Sequence, residues 1–361
     1  MQQRTAGSEP ASSELLAAMG RALQIAAAPG IRTGANPRVG CVLLDASGRP
    51  QAEGVHRGVG TPHAEVDALR AWRSADRAGM PHTAVVTLEP CAHTGRTGPC
   101  TEALLQAGVR RVVLATTDPD PQAAGGAARL RAAGVEVVEG VLREQALALN
   151  AEWFTATELR RPHVTWKLAT TLDGRVAAAD GSSRWISSAQ SRADAHLARA
   201  AVDAIVVGTG TALSDDPHLA ARDTVDRPLP RDLQPLRVVM GLRVVPPGAR
   251  IRDESAKTLI LPTRDPAQVL ATLWDHDVRR VLLEGGPTVA AAFWRSGLVD
   301  RVVLYLAPAL LGAGSLGVGN LGIGSIQDAA RLDMTDVARC GPDLRITYEP
   351  VRAAGTLEES G

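Results

Sequence analysis

Short apolar runs alternate with stretches of helical spacing along this chain, and the alternation starts afresh after Asn150. Residues 39–44, 84–88, 112–115 and 135–138 read as strands, with Asp45-Ala-Ser-Gly48 as a hairpin turn behind the first. Ser12 or Ser13 can cap a helix carrying Leu15, Leu16, Met19, Leu23 and Ile25, and residues 63–73, 101–107 and 123–133 also have helical spacing. Strands alternating with helices pair in parallel, because a parallel crossover needs a dozen or more residues, and the helices then cover both faces of the sheet. The second stretch repeats the pattern, with strands at 164–168, 204–207, 237–239, 258–261, 281–284 and 301–306 and helices near 189–201, 266–276 and 288–295. The sequence predicts an α/β chain of two domains, 13–150 and 163–361, behind a flexible tail at 1–12 and joined by a linker at 151–162 that ends in Arg160-Arg161-Pro162.

Composition narrows the partners. The 39 basic and 39 acidic side chains cancel, so the chain lacks the basic surface that grips a phosphate backbone, and no nucleic-acid partner is expected. Two Phe and two Tyr offer few platforms for stacking bases. A hydrophobic content of 45% is enough to build cores and excludes extended disorder. No apolar run is long enough to span a bilayer, and Met1 to Ser13 lacks the basic-then-apolar order of a signal peptide. Four cysteines are sparse, which suits a reducing cytoplasm, where clustered thiols hold metal more often than they pair. A cytoplasmic protein without a membrane partner is expected.

Two of those thiols belong to the strongest chemical pattern, His63-Ala-Glu65 followed by Pro90-Cys91 and Cys100. One imidazole and two thiolates leave a tetrahedral Zn²⁺ with a vacant vertex, the catalytic arrangement, and one zinc per chain is expected. A water at that vertex has its pKa lowered toward about 7, so hydroxide is available at neutral pH. Glu65, two residues past His63 at a helix start, can stand by the metal without ligating it and shuttle protons. His-x-Glu with Pro-Cys marks the zinc nucleobase deaminases, but eight residues, not two, separate Cys91 from Cys100 here. A structural zinc is the alternative; it normally needs a fourth protein ligand, for which the nearby candidate is His93.

These segments, with Asn36-Pro-Arg-Val-Gly40 and Asp118-Pro-Asp-Pro121, closely resemble the deaminase half of the bifunctional deaminase/reductase family of riboflavin biosynthesis. The resemblance implies a cytidine-deaminase-like three-layer αβα domain in which Arg96 holds a ribose 5′-phosphate and Asn36 and His56 contact the pyrimidine or ribose. Read alone, Arg96 is either a bidentate phosphate ligand or a solvated loop charge, and His56 could equally be a capping histidine.

In the second half, Gly208-Thr-Gly-Thr211 and Glu284-Gly-Gly-Pro-Thr288 follow strand-like runs. The latter puts backbone N–H groups at a helix start, a natural phosphate seat, but both turns also serve simple chain reversal. Lys167-Leu-Ala-Thr-Thr-Leu-Asp-Gly-Arg175, Gly181-Ser-Ser-Arg-Trp-Ile-Ser187, Gly208-Thr-Gly-Thr-Ala-Leu-Ser-Asp-Asp-Pro217 and the 284–288 turn resemble, in order, the reductase half of the same family. The resemblance implies a dihydrofolate-reductase-like domain that uses NADPH. Ala169, Trp185, Thr211, Asp215, Gly286, Pro287, Thr288, Val289, Ala290, Ala291 and Ala292 would line the NADPH site. Ser183, Arg199, Leu219, Arg222 and Glu284 would contact the substrate, and Lys167 would stand beside the reacting ribose carbon. A lysine there can stabilise developing charge on oxygen; its alternative is an exposed strand residue. Many relatives place Asp then Ser or Thr after the third strand to touch the cofactor, where this chain has Gly241-Leu242.

The reading is a homo-oligomeric bifunctional enzyme acting on a small pyrimidine ribosyl phosphate: zinc-hydroxide deamination of 2,5-diamino-6-ribosylamino-4(3H)-pyrimidinone 5′-phosphate, then NADPH-dependent reduction to 5-amino-6-ribitylaminouracil 5′-phosphate. The alternatives are one active domain of the two, or a non-enzymatic zinc-containing binding module.

Overall fold

The computed structural model describes residues 12–28, 32–75, 79–93 and 98–351. The chain divides at Leu159/Arg160 into two units.

The first unit runs α1 (Ser13–Ala26), β1 (Gly40–Leu44), β2 (Pro50–Val55), α2 (Ala64–Ser74), β3 (Thr83–Val86), α3 (Cys100–Gln106), β4 (Arg111–Leu114), α4 (Gly126–Ala132), β5 (Glu136–Glu139), α5 (Arg143–Leu149) and α6 (Ala151–Leu159). Its sheet has the order β2-β1-β3-β4-β5, antiparallel at β2-β1-β3 and parallel beyond. Alternation along the strands sorts the core into two layers. Cys41, Leu43, Ala84 and Val86 pack with Leu69 and Trp72 of α2, Leu104 of α3 and Leu130 of α4. Val42, Leu44, Val85 and Val113 face Leu15, Met19 and Leu23 of α1 and Ala146 of α5. This is the expected three-layer arrangement.

The expected linker is largely a helix. α6 occupies 151–159, buries Phe154 and Ala156, and ties Trp153 Nε1 to the Ala35 carbonyl at 3.1 Å. Asn150, just before it, bonds both backbone groups of Arg38, accepting from its N–H at 2.8 Å and donating to its carbonyl at 2.9 Å. The chain therefore enters its second unit only at Arg160. The proposed tail lies outside the described residues except Ser12, which is the N-cap of α1 and accepts from Leu15 N at 3.4 Å.

The second unit runs β6 (His163–Thr171), β7 (Arg175–Ala177), α7 (Ala189–Ala201), β8 (Ala204–Gly208), α8 (Thr209–Ser214), β9 (Leu236–Met240), β10 (Thr258–Leu261), α9 (Pro266–Asp275), β11 (Arg280–Leu283), α10 (Pro287–Arg295), β12 (Arg301–Ala307), β13 (Ser315–Leu316), β14 (Leu332–Cys340) and β15 (Asp343–Pro350). Eight strands form one sheet, β10-β9-β8-β11-β6-β12-β15-β14, parallel as far as β12 and antiparallel beyond. One face packs Trp166, Val206, Val238 and Leu283 under α9 and α10. On the other, Ile205, Val207 and Leu282 pack with Ala198 of α7 and Ala212 of α8.

Candidate active sites

His63 is the residue that caps α2, but its side chain makes no cap hydrogen bond and turns instead toward two sulfurs. Cys100 opens α3, and its N–H points at Cys91 Sγ at 3.4 Å. His63 Nδ1 lies 3.2 Å from Cys100 Sγ and 3.6 Å from Cys91 Sγ, and all three donor atoms fall within 4.8 Å of one another. A tetrahedral zinc with bonds of about 2.0 Å to nitrogen and 2.3 Å to sulfur needs N···S edges of about 3.5 Å, so the donor set fits the ion. The exposed His93 does not join this group, which leaves three protein ligands among the described residues. The Cys100 hydrogen bond and His63 hold the Cys91 thiol down at about 4, while the same bond and burial push Cys100 up.

Glu65 sits one residue into α2, buried, and outside the ligand set. Burial pushes its carboxyl up to about 7. α2 can lie this close to the sheet because of Gly54 in β2: a Cβ there would stand 2.2 Å from the Ala64 carbonyl and 2.2 Å from Ala68 N.

Asn36 and His56 come together beside the metal residues. His56 Nδ1 donates to the Pro62 carbonyl at 3.0 Å, so its Nε2 accepts from Asn36 Nδ2 at 2.9 Å. Its ring stands edge-on to His63, 5.3 Å between centroids. With both nitrogens used and 4% exposure, His56 orients Asn36 and has no ring N–H left for a ligand. Burial lowers its pKa, which favours this neutral form. Arg96 lies outside the described residues.

The second site is built on one face of the larger sheet. Pairing sets Leu282 opposite Thr165 and Val303 opposite Lys167, so Glu284, just past the end of β11, reaches the level of Lys167. α7 crosses this face and delivers Arg199, which grips Glu284 bidentately, Nε to Oε1 at 2.6 Å and Nη2 to Oε2 at 2.8 Å. Burial alone would raise the Glu284 carboxyl; the Arg199 guanidinium, and behind it the Lys167 ammonium, hold it at about 2. Burial pushes Lys167 below its ordinary range while Glu284 pulls it back up. The Ala220 carbonyl accepts from both His196 Nδ1 (3.0 Å) and Arg199 Nη1 (3.4 Å), which docks the 219–222 segment on α7. Leu219 itself is buried, with φ 52°. Arg222 donates to the Asp226 carbonyl at 2.8 Å. Ser183 is exposed.

Of the residues expected at a dinucleotide, Thr211 and Gly286 face each other: a Cβ on Gly286 would lie 3.8 Å from Thr211 Oγ1. Gly286 caps α10 with no side-chain bond, and Pro287 follows, so the helix start is open to an anion. Trp185 is 68% exposed with the Arg192 guanidinium 4.4 Å from its ring centre. Ala169 shares the Lys167 face, and Asp215 offers its carbonyl to Arg184 at 2.7 Å. The expected run 286–292 does not face one way, since Ala290 and Ala291 are 1% and 3% exposed inside the core. The open helix start at Gly286, facing Thr211, has room and backbone donors for a phosphate group of a dinucleotide. Gly241 has φ 133°, and a Cβ there would meet Thr209 Oγ1 at 2.5 Å, so this backbone has no room for a side chain.

Sequence reasoning missed three further residues here: Tyr305, whose ring centre is 5.6 Å from Lys167 Nζ, Asp194, which accepts from the Tyr305 hydroxyl at 2.7 Å, and His196. They were hidden because only strand register and the crossing of α7 unite them; nothing in their spacing does.

Comparisons with known proteins place both units in known families. Residues 12–116 match the family described as "Cytidine and deoxycytidylate deaminase zinc-binding region", and residues 162–346 match "RibD C-terminal domain". The riboflavin biosynthesis protein RibD of Mycobacterium tuberculosis is 46% identical over 312 residues, 86% of this chain and 90% of that protein. That of Escherichia coli is 38% identical over 358 residues, 90% and 96% of the two chains. The crystal structure of a diaminohydroxyphosphoribosylaminopyrimidine deaminase/5-amino-6-(5-phosphoribosylamino)uracil reductase from Thermotoga maritima superposes with a TM-score of 0.82 at 30% identity, covering 93% of this chain and 99% of that one. Acinetobacter baumannii RibD gives 0.85 at 34%, covering 94% and 99%. The first unit is cytidine-deaminase-like and the second dihydrofolate-reductase-like, and the chain belongs to the RibD family of bifunctional deaminase/reductase enzymes of riboflavin biosynthesis.

Proposed function

We propose that the first unit removes the exocyclic 2-amino group of 2,5-diamino-6-ribosylamino-4(3H)-pyrimidinone 5′-phosphate as ammonia, and that the second reduces the ribosyl chain of the product with NADPH, giving 5-amino-6-ribitylaminouracil 5′-phosphate. The observation that carries this reading is the His63–Cys91–Cys100 triangle with Glu65 buried alongside. His63, Cys91 and Cys100 would hold the zinc, which when bound would polarise a water and bring its pKa toward about 7. Glu65 takes a proton from the attacking water on a carboxylate oxygen and returns it to the departing nitrogen, so that C–NH₂ and H₂O become C=O and NH₃. Asn36, aimed by His56, holds the ring, and Arg96 takes the phosphate.

In the second unit NADPH supplies the hydride when bound, with Thr211, Trp185 and the Gly286 helix start as its seat. Lys167 donates from Nζ to the oxygen at the reacting carbon. Burial disfavours the charge of that ammonium, Glu284 favours it, and Arg199 holds Glu284 in place. Remote phosphate binding by Arg222 orients the chain for transfer. Homo-oligomeric assembly belongs to the same reading, supported by the exposed Met334 and Val337 on the edge strand β14. A cytoplasmic setting is supported by four unpaired cysteines. No helix among the described residues is long and apolar enough to cross a membrane.

The test is zinc-loaded protein given the diaminopyrimidinone phosphate with and without NADPH. Ammonia release without NADPH, followed by one NADPH oxidised per ammonia, is expected. Absence of ammonia overturns the deaminase assignment, and equal use of NADH overturns the cofactor assignment.

A further inference from the structure

We infer that Tyr305 is a positioning residue of the reductase site, its ring carrying the Lys167 ammonium and its hydroxyl locked by Asp194. The inference rests on the reading of Lys167 as the group beside the reacting carbon. Lys167 Nζ stands 5.6 Å from the Tyr305 ring centroid, inside the reach of about 6 Å over which an aromatic face attracts a cation. Register puts them there. Lys167 pairs with Val303, and Tyr305 is two residues on along β12, on the same face, the diagonal neighbour that a long side chain can reach.

The ring cannot move away. Tyr305 is 1% exposed, and its hydroxyl donates to Asp194 Oδ2 at 2.7 Å. Asp194, projecting from α7, is also held by Arg345 Nη1, 3.3 Å from each oxygen, and Arg345 lies directly opposite Tyr305 on β15. Arg345 Nη2 reaches on to Asp336 at 3.0 Å. The hydroxyl is thus spent on Asp194, and the ring is what remains to act on the lysine. The Lys167 ammonium, for its part, hydrogen-bonds to no protein acceptor among the described residues. The Tyr305 ring and the Glu284 carboxylate are the groups that face it, together with Arg199, which repels it. A four-bond side chain without an acceptor samples several rotamers, and the ring restricts it to one side. Burial works against its charge, and the negative face of the ring works for it.

The test is a double-mutant cycle on hydride transfer from NADPH to the deaminated substrate, using Lys167→Gln and Tyr305→Met, with kcat and the NADPH KM measured separately. Tyr305→Met is expected to lower kcat about 3- to 30-fold, the span of a cation–aromatic contact from exposed to desolvated, with the NADPH KM unchanged. Tyr305→Phe, which keeps the ring, is expected to stay within about 3-fold of the parent by the same argument. In the Lys167→Gln background the Met substitution should cost nothing further, since its route is gone. Losses that multiply instead overturn the inference. A Lys167→Gln protein with undiminished kcat overturns the lysine reading first and the tyrosine inference with it, so the two failures are distinguishable. Should Tyr305→Met unfold the second unit, phenylalanine and its 3,5-difluoro and 3,4,5-trifluoro analogues at 305 weaken the ring's negative face at nearly constant shape. Then kcat falling with each step supports the inference, and a flat series overturns it.

Discussion

The two sites are assembled in opposite ways. In the first unit the ligands sit where local structure begins: His63 precedes α2, Cys91 follows a strand and Cys100 opens α3. A metal demands particular donor atoms, so three residue types at short spacing disclose the site. In the second unit Lys167, Glu284, Arg199, Tyr305 and Asp194 come from three strands or strand ends and one helix, and only the sheet's register makes them neighbours. Chemistry written in ligands is readable along the chain, whereas chemistry written in a face is readable only after the strands are paired.

The sharpest way to break this contrast is to disable one site and watch the other. Glu65→Gln should keep one zinc per chain while ammonia release falls by about 10²- to 10⁴-fold, the usual worth of a positioned proton carrier. NADPH oxidation on the deaminated substrate should be unchanged in the same protein. Metal analysis with the two assays checks this, and undiminished ammonia release removes Glu65 from the mechanism.

Next in size is Glu284→Ala, which strands the Arg199 guanidinium, whose side chain is 17% exposed. Removing one partner of a buried pair costs about 3–5 kcal/mol, so the melting of the second unit should drop strongly and hydride transfer should be lost. The sign with pH follows from the depressed carboxyl. Its stabilisation is complete above the ordinary carboxyl pKa of 4.5 and is lost as pH falls toward about 2. Acid titration of the parent should show this loss and Glu284→Ala should lack it, as calorimetry of the second unit would reveal.

The register of elements was legible in proportion to their burial. The expected helices at 189–201 and 266–276 and the strands at 204–207 and 258–261 match α7, α9, β8 and β10 within a residue because one face or both are apolar. β14 escaped notice: Leu332–Cys340 is an edge strand that is largely exposed, so its Asp, Thr and Arg carry no burial signal. β2 was hidden in the same way by Pro50, Gln51 and Glu53. α6 reads as a linker in sequence because its Glu, Thr and Trp lack one clean apolar face, and Trp153 is anchored through its indole N–H. At the sites, the zinc residues and Glu65 could be read from the sequence directly. The locked tautomer of His56 could not, because it depends on the Pro62 carbonyl. Nor could the inward turn of Ala290 and Ala291, because a contiguous run of residues on a helix always spreads over more than one face.

A smaller perturbation sharpens the same comparison. Gly54→Ala pushes a methyl into the backbone of α2, which must shift and carry His63 and Glu65 with it. Overpacking of this kind costs about 1–3 kcal/mol, with reduced ammonia release and untouched NADPH oxidation expected. Ser12→Ala, at the far end of the first unit, removes the α1 cap and should cost only about 1 kcal/mol with both activities intact, as denaturant titration would report.

The central claim is that the metal is gripped by one imidazole and two sulfurs, with the last position left to solvent. X-ray absorption at the zinc edge of the purified enzyme tests this directly. Two sulfurs at about 2.3 Å and two lighter atoms at about 2.0 Å are expected, one of the lighter atoms exchanged by an added small anion. A third sulfur, or a fourth ligand that no anion displaces, would contradict it.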